Sequence, residues 1–195
     1  MREELIISIT YQKFSEKGYS TSLNEIAKEA GIKKQSIYNY YPDKETLFFE
    51  MIKGRIEVYY EFLEAEYQKN ITKTPLDCLK SMYITIAEYF KNRTKLNFIK
   101  RLLLIEDPIL LGKVKEYLKS HDIIFSKRLH NNVKDIVKSD LDEDRVWQYV
   151  QNYMVMLHGT LDGILLFDDT IDVKQFAMNN WNMFFKGIEK DCKNL

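Results

Sequence analysis

The sequence predicts an all-α fold, and three observations support this. Apolar residues recur at spacings of three and four through most of the chain, whereas a strand would alternate apolar and polar residues. Only three prolines and seven glycines interrupt the 195 residues, so long helices can continue unbroken. The sequence contains no internal repeat, low-complexity tract or long linker. The predicted architecture is an N-terminal bundle of three helices over residues 1–45, followed by a larger helical domain over residues 46–195.

The first helix is predicted to end at Gly18, because glycine accepts the left-handed conformation that closes a helix. Short helices with tight turns follow as far as Tyr41, and a long helix begins at Asp43 and runs to about Lys69. Pro75 suits the first turn of the next helix, where its missing amide proton is not needed. Further helices are predicted at about 76–92, 95–106 and 109–137.

The last two predicted helices, at about 143–167 and 173–190, each carry one apolar stripe. Asp142 and Asp172 precede them and are suitable N-caps. Gly159 and Gly163 lie one turn apart on the first of the two, where another helix can approach closely. The stripes either complete the core of one subunit or form a contact between subunits. They consist of Val146, Val150, Tyr153, Leu157, Leu161 and Ile164, and of Val173, Phe176, Ala177, Trp181, Phe184 and Ile188.

Charge and cysteine content limit the possible environments. The 29 basic and 29 acidic residues cancel, so no global field draws the protein to nucleic acid or an anionic membrane, and any such surface must be local. Cys78 and Cys192 match no zinc or disulfide spacing, which favours two thiols in a reducing cytosol. The N-terminus has no signal-peptide pattern, and no apolar run reaches the ~18 residues of a membrane span. We therefore expect a cytoplasmic protein.

Residues 19–41 carry the most informative pattern of the chain. Ser22 followed by Glu25 predicts a capping box, in which each side chain accepts a hydrogen bond from the other residue's amide. A short helix should therefore start at Ser22. Ile26, Ala27 and Ala30 place small and branched apolar residues on one face of it, and Gly31 makes the turn to the next helix.

The helix after this turn is predicted to be polar and exposed. Ile32 and Ile37 anchor it to the core, while its lysine, amide, serine and tyrosine side chains project outward. A short, positively charged helix on a rigid base is what insertion into the major groove of DNA requires. Tyr41 is assigned to the core and Lys28 to the solvated surface.

This segment resembles the DNA-binding domain of the tetracycline-repressor (TetR) family over about residues 2–50. The resemblance rests on Thr21-Ser22, Ile26-Ala27, Ala30-Gly31-Ile32, Tyr38, Tyr40-Tyr41 and Lys44-Glu45 with Leu47. It implies that Ile32 to Tyr40 is the recognition helix of a helix-turn-helix. The residues that it places against bases or phosphates are Thr21, Ser22, Lys33, Lys34, Gln35, Ser36, Tyr38, Asn39, Tyr40 and Lys44.

Two departures from the family pattern affect specificity. The family often has serine at the position of Lys33 and glycine near Gln35, so the recognition helix lacks an evident N-cap and carries bulkier side chains here. The operator sequence therefore cannot be taken from a relative. Residues 1–50 hold seven basic and eight acidic side chains, a net charge of −1, which predicts modest non-specific affinity unless the acids face away from the DNA.

The resemblance further implies a homodimer that pairs through its last two helices and binds a palindromic operator in double-stranded DNA. A ligand-responsive regulator, usually a repressor, is the family's common activity, and a small apolar or aromatic effector would bind among the core helices. Candidates for core or cavity positions are Met82, Tyr83, Phe90, Phe98, Tyr117, Phe125, Trp147, Tyr153 and Met154.

No catalytic or cofactor motif is present in the sequence. His121, His130 and His158 lie on separate predicted helices without the spacing of a metal site, so no metal or cofactor is expected. Two alternatives remain at this stage. One is a helical binding protein or enzyme whose DNA-binding motif is vestigial, and the other is a DNA-binding protein whose core docks another protein instead of a ligand.

Overall fold

The computed structural model describes residues 2–167 and 170–193. Within them the chain forms nine α-helices and two short 3-10 turns, Gly18–Ser20 and Glu189–Asp191, and the all-α prediction is confirmed. One isolated antiparallel bridge joins Val137 to Cys192. The helices are α1 (Arg2–Lys17), α2 (Leu23–Glu29), α3 (Lys34–Ile37), α4 (Lys44–Asn70), α5 (Pro75–Tyr89), α6 (Arg93–Leu102), α7 (Pro108–Ile136), α8 (Glu143–Phe167) and α9 (Val173–Ile188).

The helices begin at the predicted capping residues. The Asp142 carboxylate accepts the amide of Arg145 at 2.6 Å, and the Asp172 carboxylate accepts that of Gln175 at 3.1 Å. Pro75 occupies the first turn of α5. The largest difference lies at α6, which ends at Leu102 instead of near 106. The connection that follows contains Asp107, whose carboxylate caps α7 and thereby fixes the start of that helix at Pro108.

The described chain packs as two compact units. The first consists of residues up to Tyr60 together with Arg93–Ser120, and the second consists of Glu61–Asn92 and the residues from His121 onward. Residues 93–120 therefore pack with the N-terminal helices. The functional division expected at residue 45 is a different kind of boundary and stays a prediction.

The core of the first unit is aromatic. Phe14 of α1 contacts Phe48 of α4 and Phe98 of α6, with ring centroids 6.0 and 5.7 Å apart in edge-on geometry. Such pairs add stability beyond the area that they bury. Arg101 of α6 also donates to the carbonyl oxygen of Glu16 at 2.7 Å, near the end of α1. These contacts hold α6 against the N-terminal helices.

In the second unit, both apolar stripes contribute to the core of a single chain. The α8 stripe is buried throughout, and Val173, Ala177, Trp181 and Ile188 of the α9 stripe are buried with it. A polar group lies within this core: Thr160 hydrogen-bonds the Tyr83 hydroxyl and accepts from Asn180 at 2.9 Å. The stripes therefore complete one subunit's core.

The two glycines of α8 have different surroundings. A Cβ atom on Gly163 would lie 2.6 Å from the ring of Phe176 on α9, so this glycine permits the close approach of α8 and α9. A Cβ atom on Gly159 would meet nothing within 4 Å, and the residue is exposed. The close approach expected from the glycine pair thus occurs at Gly163 and within one chain.

His130 and the two cysteines are buried within the described chain. His130 is buried, its ring lies tilted against Trp147 with the centroids 4.5 Å apart, and its Nε2 lies 2.6 Å from a Glu143 oxygen. Both cysteines are buried free thiols. Among the described residues we find no cluster of side chains suited to a metal ion and no helix long and apolar enough to cross a membrane.

Candidate nucleic-acid interface

The capping box at the start of α2 has the predicted form. Ser22 Oγ accepts the amide of Glu25 at 3.2 Å, and Glu25 Oε2 accepts the amide of Ser22 at 2.8 Å. Lys17 donates to the other Glu25 oxygen at 2.5 Å. The Lys17 ammonium, followed by the Ser22 donors, lowers the pKa of Glu25 to about 2. The N-terminus of α2 is thus fixed by a charged network.

The turn between α2 and α3 is tight. Gly31 adopts φ +65°, a conformation that side chains with a Cβ atom rarely occupy. The amide of Ile32 donates to the carbonyl of Ala27 at 3.0 Å, which closes the turn. Ile26 and Ala27 are buried on the inner face of α2, as predicted.

The helix α3 is shorter than predicted, covering Lys34–Ile37 instead of Ile32 to Tyr40. Lys33 occupies the N-cap and provides no side-chain hydrogen bond, which agrees with the absence of a capping residue in the sequence. At the other end, the amides of Tyr40 and Tyr41 both donate to the Ile37 carbonyl, so the chain turns inward and buries Tyr41. Pro42 then prevents further helix.

One buried residue anchors the exposed surface of this segment. Ile37 is fully buried, whereas Tyr38 and Tyr40 expose 46 and 41% of their surface. Ser36 is half-buried. The other exposed residues of the segment are Lys33, Lys34, Gln35 and Asn39. Seven of the ten sequence-predicted contact residues therefore lie together on one short polar segment.

Thr21 and Lys44 use their side chains for contacts within the first unit, and their predicted contacts with DNA stay predictions. Thr21 is fully buried, and its hydroxyl donates to the Lys13 carbonyl at 3.2 Å. Lys44 donates to the Tyr19 carbonyl at 2.6 Å and lies 4.2 Å from the Tyr19 ring centroid, and burial lowers its pKa. The Thr21 hydrogen bond holds the residue after the first 3-10 turn to α1, and the Lys44 hydrogen bond holds the start of α4 to that turn. Ser22, the tenth predicted contact, is half-buried and occupied by the capping box.

Tyr41 and Lys28 lie where the sequence predicts. Tyr41 is 5% exposed, and its hydroxyl donates to Glu3 at 3.3 Å. Burial, together with the Glu3 charge, raises the pKa of Tyr41 to about 12. Lys28 is exposed on α2.

Several acidic side chains of the N-terminal helices are paired with lysines, one of them within α1 and the others between segments. Among the described residues, by contrast, no carboxylate pairs with Lys33 or Lys34. The local net charge at α3 is therefore positive although residues 1–50 carry −1 overall. The pairs are Lys13 with Glu16 and Glu29 at 3.5 and 2.7 Å, Lys17 with Glu25 at 2.5 Å, and Lys113 with Glu45 at 2.5 Å.

Sequence reasoning missed the supporting residues from α6 and α7. Arg101 caps the end of α1, and Lys113 neutralises Glu45 near the start of α4. Neither residue lies within a recognisable motif, and both act at separations of 68 residues or more. Only the folded arrangement of the first unit indicates their role.

Comparison with known proteins places this segment in a family. The model for bacterial regulatory proteins of the tetR family matches residues 6–51. The HTH-type transcriptional regulator AcrR of Shigella flexneri is 39% identical over 84 residues, which are 43% of this chain and 39% of AcrR. The negative regulator IcaR of the Staphylococcus epidermidis icaADBC biofilm operon is 33% identical over 69 residues, which are 35% of this chain and 37% of IcaR. The matches span less than two fifths of either relative.

The fold likeness extends much further than the sequence likeness. The transcriptional regulator FadR from Bacillus subtilis, solved in complex with stearoyl-CoA, has a TM-score of 0.74 and 21% identity, covering 95% of this chain and 98% of FadR. At this identity the match establishes the fold alone. Residues 6–51 are therefore similar to the bacterial regulatory proteins of the tetR family, and the chain as a whole shares the all-helical fold of FadR.

Proposed function

We propose that this protein is a ligand-responsive transcriptional repressor that binds a palindromic operator as a homodimer in the cytoplasm. The observation that carries the proposal is the exposed polar surface of α3. Its lysines have no acidic partner among the described residues, and it is held on a rigid base by the buried Ile37. Phosphate contacts from such lysines position the helix, and side chains that reach base edges select the sequence.

The proposed dimer pairs α8 and α9 with their copies through the faces that the core leaves open. Val155, Leu166 and Met183 expose 71, 76 and 75% of their surface, and a partner helix that covered them would remove this apolar area from water. Gly159 is exposed on α8 and has open space around it, so a partner helix can approach closely there. Two-fold symmetry would then present two α3 segments to successive major grooves, about 34–36 Å apart or a multiple of that distance.

The proposed effector is a small molecule with a large apolar part. FadR, which shares the fold, holds stearoyl-CoA, and this supports a ligand of that general character without assigning one. Such a ligand releases the operator only by its differential affinity for the DNA-bound and free conformations.

The first experiment measures binding of the purified protein to its own upstream intergenic DNA and to a scrambled duplex, at two salt concentrations. We expect tight, sequence-selective binding with a stoichiometry of one dimer or two. Lys34→Ala should weaken binding to both duplexes and reduce its salt dependence, whereas Lys28→Ala removes the same charge from exposed α2 and should leave binding unchanged. Weak and equally salt-sensitive binding of both duplexes would contradict the proposal and favour a vestigial motif.

A further inference from the structure

The side chains on α3 differ in the direction in which they leave the helix, and this separates base-reading residues from phosphate-binding ones. We propose that Gln35 and Asn39 select the operator sequence by pairing their side-chain amides with adenine, so that each half-site contains two nearby A·T pairs. The inference rests on the proposed function, since it specifies which DNA the α3 surface recognises.

The direction follows from the position of Ile37, which is fully buried and points into the first unit. Successive residues of an α-helix are rotated by about 100°. Gln35 lies two residues before Ile37 and therefore about 160° from its direction. Asn39 lies two residues after Ile37, where the Tyr40 amide donates to the Ile37 carbonyl and tightens the turn, so it lies about 120–160° from that direction. Tyr38 keeps helical dihedrals, φ −65° and ψ −13°, so the turn continues as far as Asn39. Both amides thus project from the outermost line of the segment, where a helix in the major groove meets base edges.

Lys34 leaves the helix on the flank. It lies three residues before Ile37, which places it about 60° from the buried direction, and its Nζ is 6.0 Å from the centroid of the Tyr38 ring. The flanks of a helix in the groove face the phosphate strands. A lysine ammonium has donors only and interacts with phosphate as a point charge, so Lys34 is assigned to the backbone.

The chemistry of the two outermost residues is selective. A side-chain amide offers a donor and an acceptor together, which matches the N7 acceptor and the N6 donor that adenine presents in the major groove. Gln35 and Asn39 are exposed, and within the described part of the chain neither side-chain amide makes a hydrogen bond, so both are available to DNA.

The spacing of the two residues predicts the spacing of the bases. Four residues along a helix correspond to a rise of about 6 Å, and successive base pairs are about 3.4 Å apart. The two adenines should therefore lie about two base-pair steps apart in each half-site.

The test is selection of bound duplexes from a randomised library by the wild-type protein and by Gln35→Ala, Asn39→Ala, Lys34→Ala and Lys28→Ala. We expect the wild type to enrich two A·T pairs in each half-site. Gln35→Ala should lose the preference at one of them and Asn39→Ala at the other, each with a roughly 5- to 150-fold loss of affinity for the wild-type site. Lys34→Ala should keep the consensus but bind more weakly, and Lys28→Ala should match the wild type.

A change of specificity separates base reading from a loss of folding. Arginine pairs with guanine through its N7 and O6 atoms, so Gln35→Arg should replace one A·T pair of the consensus by G·C. The inference would be overturned if Gln35→Ala and Asn39→Ala both kept the wild-type consensus. It would also be overturned if the base pairs whose preference these variants lose were G·C in the wild-type consensus. In either case the proposed regulator would still stand. Enrichment of no duplex by the wild type would instead refute the proposed function.

Discussion

Replacing Lys44 by methionine tests whether this lysine binds DNA or holds the first unit together. Its ammonium donates to the Tyr19 carbonyl and lies over the Tyr19 and Phe48 rings, at 4.2 and 5.4 Å from their centroids. A charge-assisted hydrogen bond contributes about 1.5–3 kcal/mol, and a partly desolvated cation over a ring contributes about 0.5–2 kcal/mol. Desolvation, which lowers the pKa of Lys44, offsets part of this. Methionine retains the apolar packing, so we expect a loss of about 1–3 kcal/mol in unfolding free energy.

Two measurements on the full-length variant decide between the roles. The first is urea unfolding of Lys44→Met against the wild type. The second is the slope of log K against log salt for operator binding, which falls in magnitude by about 0.9 for each phosphate contact that is lost. We expect lower stability with an unchanged slope in Lys44→Met, and the reverse pattern in Lys34→Ala. Unchanged stability of Lys44→Met together with a slope reduced as in Lys34→Ala would refute the internal role.

Three further predictions concern stability. Gly163→Ala should be less stable than Gly159→Ala by about 1–3 kcal/mol in urea unfolding, because only the first adds a methyl group against a ring; equal stabilities would contradict the close approach of α8 and α9. The pKa of Glu25 falls from its ordinary 4.5 to about 2 in the folded state. Its contribution to the unfolding free energy is therefore complete above about pH 4.5 and is lost as the pH falls towards 2. The unfolding free energy of Glu25→Gln should depend less on pH across that range than that of the wild type. Thr160→Val removes the hydroxyl that hydrogen-bonds the buried Tyr83 and the half-buried Asn180. It should lower the unfolding free energy by about 1 kcal/mol, whereas an unchanged melting temperature would show that these bonds are not needed.

The features that the sequence predicted well depend on neighbouring residues. The capping box needs only Ser22 and Glu25, and the turn needs only Gly31, whose φ of +65° reflects a conformational preference of glycine itself. The buried stripe of α8 follows from helical periodicity and required no knowledge of the partner helix. Local chemistry was therefore sufficient for element type and order, and for most of the α3 surface.

The features that the sequence does not reveal depend on contacts between separate segments. The burial of Thr21 depends on the carbonyl of Lys13, and the orientation of Lys44 depends on the Tyr19 ring. Family patterns record which residue occupies a position, and the packing around it decides whether its side chain faces solvent. Gly159 and Gly163 illustrate the same limit, since their shared spacing conceals one exposed and one closely packed position.

A neutral chain with a slightly acidic N-terminal segment can still present a basic surface to DNA, and the pairing within the first unit accounts for this. Glu29 and Glu45 are each held within 3 Å of a lysine, and the second of these lysines, Lys113, lies outside the N-terminal fifty residues. The opposite charges of such a short pair nearly cancel at the distance of a bound phosphate. Lys33 and Lys34 have no carboxylate partner in the described chain, so their positive charges are not cancelled. Because salt screens fields beyond about 10 Å, the charges near α3, and not the net charge of the whole chain, would govern the proposed DNA binding.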